Sequence, residues 1–192
     1  MKDFLDKDKL MMLVGKVIDN CNEVKIATLS DELTISQVVK FFERQGRTFT
    51  KTMIQNYVRV GVLPPPLGKR YYTRNHLILL TLIDNLKSVY SLEEIKMILA
   101  PVRNNPDIFE DDMIKTTDMY KSYIEMRKEV LANWADTIPK VFDSVKRQVE
   151  EEGVKDEDRS AVTQFMIIMT VMAETIAMKD LVNEIIEKYY KK

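Results

Sequence analysis

The side chains best suited to recognition chemistry lie between Arg44 and Arg74. Gln55 and Asn56 each carry an amide that donates and accepts at once, the pairing an adenine edge offers in the major groove. Thr50 and Thr52 add methyl groups able to touch thymine, and Lys51 adds a cation beside them. Arg44, Arg59, Lys69, Arg70 and Arg74 are cations of the kind that hold phosphates, with Tyr57, Tyr71 and Tyr72 as hydroxyl donors. Each has a structural alternative. Tyr57 shares an apolar helix face with Met53 and Val60, Tyr72 suits closure of a turn on the next helix, and Arg70 suits an ion pair with Asp84 or Glu94.

The charge distribution favours the recognition reading. Residues 34–75 hold eight Lys and Arg against one acid, Glu43, whereas residues 104–192 hold 13 basic and 19 acidic residues. The net charge of −1 hides this asymmetry. A basic block on an acidic remainder is the electrostatic footprint of a modular nucleic-acid binder; the plain alternative is a solvated basic face with no partner.

Covalent chemistry has little to work with. His76 is the single histidine, so any histidine-based triad would centre there, and no G-x-S-x-G or paired metal motif accompanies it. Asp111-Asp112 and Glu150-Glu151-Glu152 read as solvated faces. Cys21 stands alone, so it forms no internal disulfide and supplies no multi-thiolate metal site. Five glycines leave no room for a glycine-rich phosphate loop. The expectation is a protein that is not an enzyme, with no catalytic residue, metal or cofactor. The start, MKDFLDKDKLMM, lacks the apolar run of a signal peptide, and the cytoplasm is the expected compartment.

The elements that must position these residues are mostly helical. Scarce Gly and Pro in a chain that is 45% apolar argue against an all-β fold. Leu10, Leu13, Val14, Val17 and Ile18 predict a short helix over 8–20, followed by a loop with a brief extended piece over 21–33. Thr34 and Gln37 form a capping box for a helix with Ile35, Val38, Val39 and Phe42 on one face, stopped at Gly46. Thr50 caps a second short helix that ends at Gly61, and two such helices joined by a tight turn are the skeleton of a helix-turn-helix. Pro64 to Pro66 hold the next run extended, Gly68 permits a turn, and Arg70-Tyr71-Tyr72 has β character, which predicts a small β wing. Helices follow over about 75–89 and, behind a Ser91–Glu94 capping box, to Pro101; RNNPD at 103–107 reads as a linker. Beyond it a long tract to Glu152 carries a heptad-like seam through Ile124, Leu131, Ile138, Phe142, Val145 and Val149, with Pro139 expected to kink it or start a new helix. The last helix, from about Ser160 to Tyr190, opens on a stretch apolar nearly all round. Gln164, Thr170, Glu174 and Thr175 interrupt it, so it reads as a buried helix or oligomer interface rather than a membrane span. Trp134, Phe165, Met169 and Met172 form a weaker candidate ligand pocket, since thioethers adapt to irregular shapes.

Residues 34–99 resemble the DNA-binding domain of the MerR family. Its opening phrase T-I-x-x-x-A is matched by Thr34-Ile35 through Val39, and T-L-R-Y-Y-E-x-x-G-L-L-x-P by Met53 through Pro65. The wing phrase G-Y-R-Y-Y-S appears as Gly68 through Thr73, and the following helix pair as Leu80 through Leu99 with Ser91-Leu92-Glu93-Glu94-Ile95-Lys96 at its centre. The chain departs from the pattern at Gln55, Val58 and Tyr90, where the family has Arg, Glu and Gly, and in the 33 residues before the first capped helix. It therefore looks closest to the uncharacterised MerR-like proteins grouped as a domain of unknown function. The resemblance implies a recognition helix in the major groove, presenting Thr50, Lys51, Thr52, Gln55 and Asn56 to base edges.

The expected architecture is all-α with a small β wing. It comprises an N-terminal helix or arm at 1–29, a MerR-like winged helix-turn-helix DNA-binding domain at 30–103, and a helical C-terminal domain at 104–192 that dimerises or senses a ligand. The expected function is sequence-specific binding of double-stranded DNA by a transcriptional regulator. It acts as a homodimer, with a possible small-molecule effector and no membrane partner. The alternatives are a DNA-architectural or excision factor, and a protein-interaction module whose winged helix no longer binds DNA.

Overall fold

The computed structural model describes residues 4–20, 24 and 32–190. Cys21, and the extended stretch expected over 21–33 apart from Val24, Glu32 and Leu33, lie outside them. The described residues form α1 (Lys7–Asn20), α2 (Ile35–Glu43), α3 (Lys51–Arg59), α4 (Arg74–Leu86), α5 (Leu92–Leu99), a short 3-10 turn (Ala100–Val102), α6 (Thr116–Glu151) and α7 (Asp156–Tyr189). They divide into two compact units, one of residues 23–124 with 188–192 and one of residues 1–22 with 125–187.

In the unit around residues 23–124, helix ends follow local capping chemistry. The Thr34 amide donates to the Gln37 side-chain oxygen at 2.8 Å, so α2 starts there. Gly46, at φ 71°, takes the left-handed conformation that ends the α2 turn. Thr50 Oγ1 accepts from the Met53 amide at 3.1 Å and starts α3. The Ser91 amide donates to Glu94 Oε2 at 2.7 Å at the head of α5. α4 is the centre of the unit: its eight residues from His76 to Ile83 are all buried. Against it pack Val38 and Phe42 of α2, Ile54 and Tyr57 of α3, and Ile95 and Leu99 of α5. Each large side chain so buried contributes about 1.5–3 kcal/mol. The first turns of α6 join this core through Tyr120 and Ile124.

The expected small β wing is not formed: no β-strand occurs among the described residues. Two isolated antiparallel bridges stand in its place, Leu33 with Tyr72 and Leu67 with Tyr71. The reason is local. Pro64, Pro65 and Pro66 have no amide to donate, so no ladder extends backward from Leu67. Gly68 and Lys69, at φ 57° and 61°, then spend the next residues on a turn. Leu67 and Tyr71 exchange both backbone hydrogen bonds, at 2.8 and 3.0 Å, and the pairing stops there.

In the other unit, Phe142, Val145, Val149 and Ile167 form the core, with Leu5, Leu10, Val162 and Met166 against it. Lys7 Nζ pairs with Asp143 at 2.6 Å beside it. α6 runs as one helix through Pro139, so the proline does not start a new element. α7 is long and apolar enough to cross a membrane, with a window of mean hydropathy 1.6, yet only 11% of that window is buried. Phe165, Ile168, Met169, Met172 and Ile176 all stand exposed on it.

Candidate nucleic-acid interface

α3 buries Ile54 and Tyr57 and turns Lys51, Thr52, Gln55 and Arg59 to the surface. The alternation follows from the 3.6-residue period, because 54 and 57 share one face while 52, 55 and 59 share the opposite one. Asn56 is half-buried at the edge of that face, and its Oδ1 accepts from Arg59 Nη2 at 2.7 Å. Two candidate recognition residues therefore engage each other within the helix.

A groove of about 250 Å³ brings Gln55 of α3 together with Lys69 and Arg70 of the 67–71 turn. Ile35, Val58, Pro66 and Tyr72 complete its lining. The Arg70 guanidinium lies 5.1 Å from the centroid of the Tyr71 ring, and that stacking braces it at the turn. Among the described residues Lys69 is the one non-glycine with positive φ, and this left-handed conformation belongs to the turn that carries the cation.

The remaining candidates divide. Arg44, at the C-cap of α2, and Thr50 are exposed at the surface of the helix pair. Arg74, the first residue of α4, is half-buried and lines a different groove, with Leu67, His76, Phe109 and Lys115. Arg47 is structural: its Nη1 pairs with Asp84 at 2.7 Å in a largely buried site and also donates to Asn85 Oδ1. Lys87 takes the other Asp84 oxygen at 2.7 Å, so Asp84 is the partner of these two cations. Tyr57 and Tyr72 are buried, which pushes both hydroxyls above their ordinary value and removes them from the phosphate-facing set. Tyr71 is half-buried beneath Arg70. On α6 and α7, Trp134 is half-buried, while Phe165, Met169 and Met172 are exposed on α7.

His76 is built into the fold of this unit. It is buried, and burial pushes its pKa down to about 4. Its ring packs edge-on against Tyr72 and Phe109, with centroids 5.2 and 4.9 Å apart. No group of three or more His, Cys, Asp or Glu able to hold a metal occurs among the described residues.

Sequence reasoning missed the apolar floor of the groove. Ile35, Val58 and Pro66 read as core or linker positions, and the sole hint was Val58 standing where the resembling family carries an acid. It also missed the fold of residues 103–115, where Arg103 Nη2 donates to the carbonyls of Pro106 and Ile108 at 3.0 and 3.1 Å.

Fold and site together define an all-helical protein in which a capped helix pair sets a polar helix face beside a cationic turn. Residues 22–123 match the family described as Domain of unknown function (DUF1836), more than half of the chain, and the protein belongs to that family. No curated protein and no solved structure matches it.

Proposed function

We propose that the protein is a non-enzymatic, sequence-specific binder of double-stranded DNA that regulates transcription in the cytoplasm as a homodimer. The observation that carries this reading is the convergence of Gln55 with Lys69 and Arg70 on one groove beside the exposed face of α3. An amide that reads bases then lies next to cations that grip the backbone, the two functions a DNA interface needs. α3 enters the major groove by its N-terminal turn, with Thr50, Lys51 and Thr52 leading and Gln55 and Asn56 behind. Lys69 and Arg70 reach the flanking phosphates. The resemblance to the MerR family supports the same docking, with the Leu67–Tyr71 turn carrying the phosphate contacts.

One small helix-turn-helix reads few bases, so a second copy supplies the missing affinity and register. The exposed apolar face of α7 is the surface for it. In vitro selection of duplexes from a random pool at near-physiological salt tests the reading. Enrichment of a two-half-site sequence supports it, and recovery of unselected DNA only overturns it.

A further inference from the structure

The second groove, of about 630 Å³, is lined by none of Gln55, Lys69 and Arg70 and has the makings of a small-molecule site. Two helices begin at it. Arg74 opens α4 and Thr116 opens α6, and both line it. The first amides of an α-helix have no partner inside the helix and carry partial positive charge, so two such ends at one cavity favour an anion. Arg74 and Lys115 add full charges. Besides the backbone amides, the Thr116 side chain contributes: the residue is 4% exposed and its Oγ1 is buried without a hydrogen-bond partner. A buried hydroxyl left unpaired costs free energy that a ligand oxygen recovers.

The acids of the groove are accounted for. Asp112 is tied to Arg103 at 3.4 Å, with both side chains nearly buried. Glu110 Oε2 accepts the Phe109 amide at 3.1 Å and keeps acceptor capacity for a ligand hydroxyl. The volume exceeds what a bare phosphate fills and suits a small metabolite.

We propose that this groove binds a small phosphorylated polyol, its phosphate at the head of α6 against Lys115, Thr116 and Thr117 and its hydroxyls toward Glu110. The site stands without the DNA reading, and its regulatory use rests on that reading. Leu67 and Arg74, both in its wall, bracket the turn that carries Lys69 and Arg70. The same phosphate chemistry could come from a DNA backbone, and the test separates the two sources.

The experiment titrates the full chain, labelled for amide NMR, with glycerol 3-phosphate, with inorganic phosphate and with a short duplex, alongside Lys115→Gln, Thr116→Val and Arg70→Ala. The expected result is saturable shifts of the 115–118 amides with glycerol 3-phosphate, tighter than with inorganic phosphate. Lys115→Gln weakens them at least tenfold, Thr116→Val weakens them, and Arg70→Ala leaves them unchanged. Thermal melts of the variants, within a few degrees of the parent, show that the fold is kept. Absence of shifts at 10 mM, shifts undiminished in folded Lys115→Gln, or shifts at 115–118 with the duplex alone overturn the proposal. A parent protein that binds glycerol 3-phosphate but no duplex overturns the DNA reading and leaves this site standing.

Discussion

His76 donates from Nε2 to the carbonyl of Pro65 across 3.2 Å while its Nδ1 accepts from the Thr73 amide at 3.0 Å. An amide can only donate, so Nδ1 is unprotonated and the neutral ring carries its proton on Nε2. One imidazole thus ties the extended proline segment to the head of α4, from two ends of the loop that bears Lys69 and Arg70.

That assignment sets a pH dependence. Burial lowers the His76 pKa from 6.5 to about 4, so the unfolded chain takes up a proton before the folded one does. Stability is full above pH 6.5 and falls as pH drops from 6.5 toward 4, by up to about 3 kcal/mol. The Asp112 carboxyl is raised by burial and works in the opposite direction. Urea denaturation between pH 7.5 and 4 isolates the histidine when compared with His76→Gln. The variant starts less stable and loses less on acidification; equal acid losses in both proteins would remove His76 as the cause.

Gly61 is the second constraint on this loop. It sits at φ 74°, and a Cβ there would lie 2.9 Å from Lys96 Nζ, which donates to the Val60 carbonyl at 3.0 Å. Gly61→Ala therefore costs about 1–2 kcal/mol from the left-handed backbone alone, plus displacement of the lysine that caps α3. Lys96→Ala removes only the second part. In a double-mutant cycle by urea denaturation, the alanine at 61 is expected to cost less when Lys96 is already gone. Equal cost in both backgrounds would mean the lysine moves aside freely.

Asn56 and Arg59 are expected to act as a pair on DNA. In the free protein Arg59 occupies the Asn56 carbonyl oxygen at 2.7 Å, the acceptor that bidentate adenine reading requires. That oxygen has a second lone pair, so Arg59 either shares it with the base or gives it up on binding, and both couple the two residues. Asn56→Ala and Arg59→Ala are then non-additive in measured affinity for a selected site. Additive losses would show that the two act separately.

Gln55 and Arg70 share a groove and differ in kind. Gln55→Ala is expected to relax preference at one base pair, with about 1–3 kcal/mol of discrimination lost and binding to random DNA little changed. Arg70→Ala weakens binding to every sequence and reduces the salt slope by about 1. Titrations of selected and random duplexes at several salt concentrations read both effects. A Gln55→Ala loss equal on both duplexes would assign Gln55 to the backbone.

Much of this was legible in the chain, and the reason is locality. The Thr34–Gln37, Thr50 and Ser91–Glu94 caps depend on residues three apart, so the starts of α2, α3 and α5 could be read directly. The β wing could not, because pairing depends on what a strand finds beside it, and around Tyr71 prolines and a left-handed turn left one bridge. Counting cations was equally blind to partners. Arg47 looked like its neighbours in the basic block, yet Asp84, 37 residues away, claims it. The grooves were invisible for the same reason: Lys115 and Arg74 meet through tertiary packing.

The exposed α7 face is the surface on which the proposed homodimer rests. Phe165, Met169, Met172 and Ile176 recur at spacings of four, three and four, the interval of a coiled-coil seam, and each is about half exposed. A soluble chain rarely leaves such a stripe in water, because every solvated side chain forgoes the burial its apolar atoms favour. In the proposed homodimer a second copy covers it with the same stripe, as two-fold symmetry allows. Met172→Glu with Ile176→Glu would bury two carboxylates in that seam, so the pair is expected to convert a micromolar dimer to monomer in sedimentation equilibrium. Affinity for a two-half-site duplex then falls at least tenfold, since linkage of the two reading heads is lost, while a single half-site is bound as before. A parent protein that sediments as a monomer and partitions onto neutral lipid vesicles would assign the stripe to a bilayer, whose apolar interior covers an 18-residue stretch of this hydropathy equally well.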